Sequence, residues 1–290
     1  MPRRAAEAQV AGTRVPGVGR LQYENASRFN ARVALHARFR TNPRPWPAWV
    51  FDQLEGRDGC RVLEVGCGTG LLWQVNAPRV PASWSLVLTD SSEGMLAETR
   101  RRIDGLACPV QYRVMDAQEI TFPDGAFDIV IASHMLYHVP DRARAIIEAR
   151  RVLREGGSFY ATTASLDNLA ELKALLREYR RVSGAAQVTS RDEAPSPRSE
   201  PIIGPFSLEN GAAQLRESFA SVDTRVFTDE LRITDTDAIV DYFHSLNDIR
   251  EGDRILADDE VGPFRAFVAA RMAQEGELRS TTRSVVFVCH

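Results

Sequence analysis

Val62-Leu63-Glu64-Val65-Gly66-Cys67-Gly68-Thr69-Gly70-Leu71-Leu72 is the segment from which the architecture of this 290-residue chain follows. Residues 62–65 are typical of a buried strand and a helical pattern begins at Leu71, so the three glycines lie in a turn between a strand and a helix. Glycines at these positions let the backbone turn sharply and approach a ligand at a distance that any Cβ would prevent. The segment therefore predicts a ligand-binding loop at the end of a strand.

The residues around the glycines favour a cationic ligand over a diphosphate. The dinucleotide-binding pattern G-x-G-x-x-G/A requires a small third residue at position 71, where this chain has Leu71. Glu64 also adds negative charge to the end of the strand, whereas a pyrophosphate prefers an unencumbered helix N-terminus. A dinucleotide is therefore the weaker of the two interpretations.

Two more acidic residues follow predicted strands. Asp90 ends the second strand roughly twenty residues after the glycine loop, the position from which a carboxylate accepts hydrogen bonds from ribose hydroxyls. Asp116 follows the third strand, where it fits either an acceptor for the exocyclic amine of adenine or a cap of a local turn. Met95 and Ala117 are predicted to sandwich the adenine ring. A nucleoside is therefore expected beside the loop.

Short β-rich runs alternate with helical runs between residues 61 and 164. This order predicts right-handed crossovers and an α/β fold with a doubly wound, mostly parallel Rossmann-like sheet, whose ligands bind at the carboxyl ends of the strands. The predicted strands cover 62–65, 84–89, 110–114, 127–132 and 158–163, and the predicted helices cover 71–77, 93–103 and 142–153.

The remaining segments are expected to surround this core. We predict a mobile tail at 1–19, a helical cap at 20–55, the core at 56–165, a substrate-facing helical insert with late core elements at 166–280, and a C-terminal strand at 281–290. Residues 182–205, rich in Ser, Pro and charge, are predicted to be a flexible excursion. Further helices are predicted through 169–179 and over 207–219, 237–246 and 263–275, with strands at 222–227 and 284–288.

The composition excludes several classes of protein. The apolar stretches fall short of the ~20 residues that span a bilayer, and no apolar signal segment precedes Arg20. A balance of 36 basic and 39 acidic residues, net −3, gives no general electrostatic reason for a nucleic-acid partner. Cys60, Cys67, Cys108 and Cys289 show no C-x-x-C spacing, which argues against disulfides and zinc. We expect a cytoplasmic monomer or homodimer without a membrane or nucleic-acid partner.

The motifs, taken in order, resemble those of class I S-adenosylmethionine-dependent methyltransferases, especially the small-molecule group of bacterial enzymes. The resemblance spans residues 61–163 and rests on Glu64 to Gly70, Asp90, Asp116, Phe127 to Val130, His134 to Asp141 and Arg151 to Gly157. It implies a seven-stranded sheet with a reversed last strand, matched by the run at 284–288. It also implies bound S-adenosylmethionine, converted to S-adenosylhomocysteine.

The resemblance also implies roles for individual residues. Glu64 is expected to hold the methionyl amino group of the cofactor, although an ion pair with a neighbour is the alternative. Ser133, just beyond the fourth strand, fits either a cofactor contact or a local turn. The full set of expected cofactor-binding residues is Tyr23, Glu64, Gly66, Cys67, Gly68, Gly70, Asp90, Ser91, Met95, Asp116, Ala117, Gln118 and Ser133.

His138 is the candidate catalytic residue. In the family this stretch faces the transferring methyl, so an imidazole there can accept a proton from a hydroxyl, amine or activated carbon near neutral pH. A packed histidine bonded to backbone is an equally good interpretation. The expected substrate-contacting residues are Trp46, Tyr137, His138 and Tyr242.

Two further groups of residues bear on the site around His138. Tyr23, Trp46 and Trp49 either form an aromatic wall over the sulfonium or pack within the cap. His134 lies four residues before His138, but Pro140 limits any helix that would align them. No third ligand lies nearby in sequence, so no metal is expected.

The predicted function is methyl transfer to an O, N or C nucleophile of a small organic molecule. Lys173 is the only lysine among the 36 basic residues, a bias that points to a GC-rich bacterium and to specialised metabolism such as antibiotic biosynthesis. The alternatives are C-methylation of a quinone or isoprenoid precursor, and a protein of the pericyclase kind that retains S-adenosylmethionine without transferring its methyl. Nucleic-acid methylation is disfavoured because no Asn/Asp-Pro-Pro motif follows the fourth strand.

Overall fold

Seven strands form one mixed sheet in the computed structural model, which describes residues 27–184, 202–247, 249 and 254–290. Their order across the sheet is β3-β2-β1-β4-β5-β7-β6. The strands are β1 (Arg61–Val65), β2 (Ser85–Asp90), β3 (Val110–Val114), β4 (Phe127–Ser133), β5 (Leu153–Ala164), β6 (Val222–Ile233) and β7 (Leu278–Cys289). The predicted tail at 1–19, Tyr23 and most of the predicted excursion lie outside the described residues.

The predicted fold class is confirmed. β1 to β5 pair in parallel, whereas β7 runs antiparallel to both β5 and β6. β1, β2 and β4 are buried on both faces, which explains why their sequences are continuous apolar runs rather than alternating ones. Because β1 and β4 pair in parallel, their carboxyl ends lie at the same edge of the sheet, next to the glycine loop.

The described helices are assigned in chain order as follows. They are α1 (Ser27–Phe39), α2 (Trp46–Asp52), α3 (Leu71–Asn76), α4 (Glu93–Arg102), α5 (Arg142–Val152), α6 (Ala170–Ser183), α7 (Gly211–Leu215), α8 (Thr236–Ser245) and α9 (Asp258–Glu275), with short 3-10 turns at Ala77–Arg79 and Leu136–His138. Side chains cap three of them: Ser92 accepts a hydrogen bond from Met95 N–H at α4, Asp141 accepts one from Arg144 N–H at α5, and Asp235 accepts one from Asp237 N–H at α8.

Several predicted boundaries differ from the observed ones. Helix α9 begins at Asp258 rather than Pro263, because acidic residues fill its first turn and Glu260 accepts a hydrogen bond from Ala257 N–H. Strands β6 and β7 extend past their apolar runs to pair along residues 222–233 and 278–289. Only 211–215 is helical within the segment predicted as 207–219.

Packing places helices on both faces of the sheet and at one end of it. One buried apolar cluster lies between the sheet, α5 and α7, and a second lies between the sheet and α2 to α4. A third cluster joins α1, α6, α8 and α9 to β6 and β7. At the end of α1, Arg40 forms a bridge with Leu231 of β6, which fixes the helix to the sheet. None of the described helices combines the length and the apolar character of a membrane span.

Candidate functional site

Packing requires glycine at two positions of the loop after β1, whereas a third glycine of this loop borders open space. Gly66, Gly68 and Gly70 all have left-handed backbones, with φ of 66°, 58° and 72°. A Cβ on Gly66 would lie 2.9 Å from the Cβ of Met135, and one on Gly70 would lie 2.8 Å from the Cγ2 of Thr99. A Cβ on Gly68 would meet no protein atom within 4 Å. The space over Gly68 is therefore where a ligand can approach the backbone.

Asp90 links the end of β2 to this loop. Its Oδ2 accepts a hydrogen bond from Gly68 N–H at 2.9 Å, and its Oδ1 accepts one from Ser92 N–H at 2.9 Å. Burial raises the pKa of Asp90 to about 6. A carboxylate offers about four acceptor positions, so both oxygens retain capacity for a pair of ligand hydroxyls beside Gly68.

Glu64 is turned toward the helix that follows the loop. Its Oε2 accepts a hydrogen bond from the indole Nε1–H of Trp73 at 2.6 Å, and only 1% of the residue is exposed. Burial raises the pKa of Glu64 to about 7, against the opposing effect of the Trp73 hydrogen bond. In this arrangement Glu64 braces the turn between β1 and α3. A direct contact with a ligand amino group stays a prediction.

Replacing Trp73 with phenylalanine tests this brace. The variant keeps an aromatic ring but leaves the buried Glu64 carboxyl without its donor, so we expect the free energy of unfolding to fall by about 1–3 kcal/mol. Urea unfolding measures the change. Trp84→Phe is the matched control, because the Trp84 indole donates to the carbonyl of the exposed residue Arg57 at 3.0 Å. Equal losses in the two variants would argue against the brace.

Asp116 and Gln118, which follow β3, are joined by hydrogen bonds. Asp116 Oδ1 accepts hydrogen bonds from the backbone N–H and from Nε2 of Gln118, at 2.8 and 3.0 Å. Gln118 Oε1 in turn accepts one from Asp141 N–H at 2.9 Å. Of the two interpretations of Asp116, the local turn is present in the structure. Its contact with adenine stays a prediction.

The other expected cofactor residues lie around the loop with different exposure. Met95 is 1% exposed and Ala117 is 8% exposed, so a ring held between them requires Met95 to move out of the core. Burial raises the pKa of the Cys67 thiol well above its ordinary value, and its Sγ lies 3.9 Å from Thr99 Oγ1. Ser91 is exposed. Ser133 lies at the end of β4, with its Oγ 3.3 Å from Thr162 Oγ1.

An aromatic surface covers the carboxyl end of β4. The ring of Trp46, on α2, lies 5.6 Å from the imidazole of His134 and 5.5 Å from the rings of both Trp49 and Phe227. Trp46 is therefore placed beside the segment after β4, as a substrate-contacting role requires. Phe227 was not expected in this surface, because its strand is distant in sequence.

Tyr137 and His138 continue this surface. Their rings lie 4.4 Å apart, and the Tyr137 ring lies 6.5 Å from that of His134. His138 ends the 3-10 turn, and its N–H donates to Met135 O at 2.9 Å. Its catalytic role stays a prediction. Tyr242 lies on α8, with its ring 5.4 Å from that of Phe243.

Burial lowers the pKa of two histidines outside the expected set, His134 and His36. His134 directly follows β4 with a left-handed φ of 50°, and burial lowers its pKa to about 4, aided by the charge of His36. Burial likewise lowers the pKa of His36, on α1, to about 4, opposed by Asp229. His36 carries no sequence signal because it lies in an ordinary amphipathic pattern. Among the described residues, no group of three or more His, Cys, Asp or Glu is placed to hold a metal ion.

Residues 63–161 match the family described as "Methyltransferase domain". The chain is 42% identical over 101 residues to a phosphatidylethanolamine N-methyltransferase of Cereibacter sphaeroides, covering 34% of this chain and 48% of that protein. It is 37% identical over 116 residues to the ubiquinone/menaquinone biosynthesis C-methyltransferase UbiE of Bordetella avium, covering 39% of this chain and 44% of that protein. The chain thus spans less than half the length of these two curated relatives.

A solved structure is similar over nearly the whole chain. The [4+2]-cyclase SpnF superposes with a TM-score of 0.54 at 18% identity, covering 96% of this chain and 98% of that one. At this identity the likeness concerns the fold alone. The family match, by contrast, includes most of the glycine loop segment, both acidic residues after β2 and β3, and the segment after β4, whereas α1 and α6 to α9 lie outside it.

Proposed function

Residues 63–161 match a methyltransferase domain, and from this premise we propose that the chain is a class I S-adenosylmethionine-dependent methyltransferase that methylates a small organic molecule. The observation that carries the proposal is the cradle at Gly68, which is open to a ligand and lies within hydrogen-bond distance of the Asp90 carboxylate. We also propose that the nucleophile is an O, N or C atom, that the protein is cytoplasmic, and that it acts in bacterial specialised metabolism.

The residues present fit S-adenosylmethionine. Asp90 would hold the ribose hydroxyls, and the backbone at Gly68 would lie against the ligand without a Cβ between them. The cationic ligand also suits a loop that carries two carboxyl groups, Glu64 and Asp90. When bound, the cofactor supplies an electrophilic methyl group on a positively charged sulfur.

The chain's own residues would then act chiefly by positioning and by excluding water. Trp46 and Tyr137 offer ring faces, and a cation is attracted to the face of an aromatic ring. Trp46 of α2 lies beside the segment after β4 and would restrict access of water there, which favours a near-attack arrangement of the two reactants. His138 is proposed as the acceptor of a proton from the incoming nucleophile.

C-methylation of a quinone or isoprenoid precursor is the second candidate. The observation that favours it is the 37% identity to the UbiE enzyme of Bordetella avium, whose name specifies C-methylation in ubiquinone and menaquinone biosynthesis. The alignment covers 39% of this chain. Product analysis by mass spectrometry and NMR distinguishes a new C–CH₃ bond from O- or N-methylation.

Transfer of a tritiated methyl group tests the proposal. The protein is incubated with methyl-tritiated S-adenosylmethionine and a panel of small hydroxyl, amine and carbon acceptors. We expect tritium in an organic product together with an equal amount of S-adenosylhomocysteine. Conversion of a compound while all tritium stays in S-adenosylmethionine would instead identify a protein that retains the cofactor, and would overturn the proposal.

Cofactor affinity is expected to fall as the pH falls from about 7 to about 5. Asp90 and Glu64 have pKa values of about 6 and about 7 in the protein, and ribose hydroxyls and an ammonium group bind better to ionised carboxylates. Protonation therefore competes with binding, by up to tenfold per pH unit for one group. Calorimetry across this range measures the effect. In Asp90→Asn the part due to Asp90 should vanish, and an unchanged pH profile would contradict the assignment.

A further inference from the structure

Arg102, the last residue of α4, lies between three parts of the chain. Its side chain is only 16% exposed, and its Nε donates a hydrogen bond to Glu98 Oε1 on the same helix at 2.6 Å. Its Nη1 donates to Thr69 Oγ1 in the glycine loop at 3.3 Å, and its Nη2 donates to Asn30 Oδ1 on α1 at 2.7 Å. One guanidinium group therefore joins α4, the glycine loop and α1.

The shape of the guanidinium group makes these three contacts depend on one another. The group is planar, and its N–H donors form a rigid fork, so its three nitrogens point in fixed directions. Because Glu98 holds Nε, the two Nη groups cannot turn independently to follow their acceptors. A displacement of Thr69 would therefore change the contact that Arg102 makes with Asn30.

The end of α4 contacts the part of the glycine loop where the cofactor is proposed to bind. Thr99 lies three residues before Arg102, and so on the same side of the helix. Its Oγ1 donates to Gly68 O at 2.7 Å, and its Cγ2 lies 2.8 Å from the position of a Cβ on Gly70. With Thr69, three successive loop residues thus contact α4. Arg102 is therefore bonded to the same loop that borders the open space over Gly68.

Helix α1 is bonded to elements on the acceptor side of the proposed site. Arg32 Nη1 donates to Ser245 O at the end of α8, at 2.8 Å. Directly after α1, Arg40 forms its bridge with Leu231 of β6. The next helix, α2, begins with Trp46, the ring that lies beside the segment after β4. The position of α1 therefore bears on the surroundings of the proposed acceptor.

We propose, on the basis of the proposed function, that Arg102 is a positioning residue that couples the glycine loop to α1. We name the contact the Arg102 bridge and define it by Thr69, Arg102 and Asn30. When the cofactor occupies the space over Gly68, the loop is held, Thr69 stays against Arg102, and α1 is stabilised through Asn30. Such coupling is reciprocal, so a contact that stabilises α1 also raises the affinity for the cofactor.

Arg101 provides the matched control on the same helix. Its Nη2 donates to the same Glu98 Oε1 at 2.7 Å, but its side chain is 71% exposed. An exposed ion pair contributes little to stability. Arg101→Ala therefore removes an arginine and one ion pair of Glu98 but leaves the Arg102 bridge intact.

Hydrogen–deuterium exchange with and without S-adenosylhomocysteine tests the proposal on the full chain. We expect the ligand to slow amide exchange in α1 by at least about fivefold in the unmodified protein and in Arg101→Ala, and by less than about twofold in Arg102→Ala. Arg102→Lys keeps the positive charge but replaces the fork by one ammonium group, so it should behave like Arg102→Ala. Thermal unfolding checks that each variant folds.

Calorimetry measures the coupling in the opposite direction. Asn30→Ala removes the acceptor on α1, and we expect it to weaken S-adenosylhomocysteine binding by about three- to tenfold. Arg38→Ala is the matched control on α1, because Arg38 pairs instead with Asp235, at 2.6 Å, and its side chain is 53% exposed. The control should bind S-adenosylhomocysteine like the unmodified protein.

A measurement without ligand tests the bridge itself. Thr69→Val keeps the shape of the buried side chain but removes the acceptor for Arg102. It should speed amide exchange in α1 by about threefold in the unmodified protein and cause no further change in Arg102→Ala, because coupled contacts are not additive. A loss of packing alone would act equally in both backgrounds.

The outcomes separate the two proposals. The Arg102 bridge is overturned if S-adenosylhomocysteine binds but affects α1 equally in the unmodified protein and in Arg102→Ala. It is also overturned if the effects of Thr69→Val and Arg102→Ala simply add. If these two effects are coupled while S-adenosylhomocysteine does not bind, the link between the loop and α1 stands and the proposed methyltransferase function fails.

Discussion

Asp90→Ala is expected to weaken S-adenosylmethionine binding by about 100-fold or more. The substitution removes both carboxylate oxygens, which are the proposed acceptors for two ribose hydroxyls, and hydrogen bonds to a charged group contribute about 1.5–3 kcal/mol each. It also removes the acceptor for Gly68 N–H, so the loop loses the contact that holds it against β2. Isothermal titration calorimetry at pH 7.5, where Asp90 is ionised, measures the change.

The matched control for this prediction is Asp223→Ala. Asp223 is an exposed carboxylate on β6, far in sequence from the glycine loop. Its loss changes the net charge of the protein by the same amount but removes no contact at the proposed cofactor site. Comparable affinities for Asp90→Ala and Asp223→Ala would contradict the placement of the cofactor over Gly68.

Alanine at Gly66 and at Gly68 should damage two different properties. At Gly66 the left-handed backbone and the 2.9 Å approach to Met135 act together, so we expect the free energy of unfolding to fall by about 2–5 kcal/mol. At Gly68 no protein atom opposes the new methyl group, and the loss of stability should be limited to the backbone strain of about 1–2 kcal/mol. The methyl group would instead enter the ligand space and weaken cofactor binding by at least about tenfold.

Gly59→Ala separates backbone strain from both other effects. Gly59 has a φ of 73° and open surroundings on an exposed turn. The variant should lose stability like Gly68→Ala and bind the cofactor like the unmodified protein. Urea unfolding measures the loss of stability in the three variants, and calorimetry measures their affinity for the cofactor. Unaltered cofactor affinity in Gly68→Ala would disprove the role of the open space.

The central part of the fold was predictable because its signals are local. A buried strand, a turn rich in glycine and a helix are each encoded within about ten residues, and the regular alternation of such units implies a parallel sheet. The segment at 284–288 was recognisable as a strand from its apolar run. The start of β7 at Leu278 was not, since residues 279–284 are all polar and form a strand through their pairing with β6.

The candidate site was predictable to the extent that its residues follow strands. Asp90 lies where its position after β2 predicted, beside Gly68. The orientation of Glu64 toward Trp73 could not be derived, because both the loop and α3 lie within reach of a carboxyl group at that position. The contact between the rings of Trp46 and Phe227 was equally hidden, because it depends on how α2 packs against β6, whose residues are far from α2 in the chain.

The position of β6 in the sheet depends on β7. β6 has no main-chain pairing with β5 and joins the sheet through β7 alone. Phe227 and the bridge from Leu231 to Arg40 lie on β6, so their positions depend on the pairing of β7 with β5. A change in the angle between β5 and β7 would therefore move Phe227 relative to the ring of Trp46, 5.5 Å away.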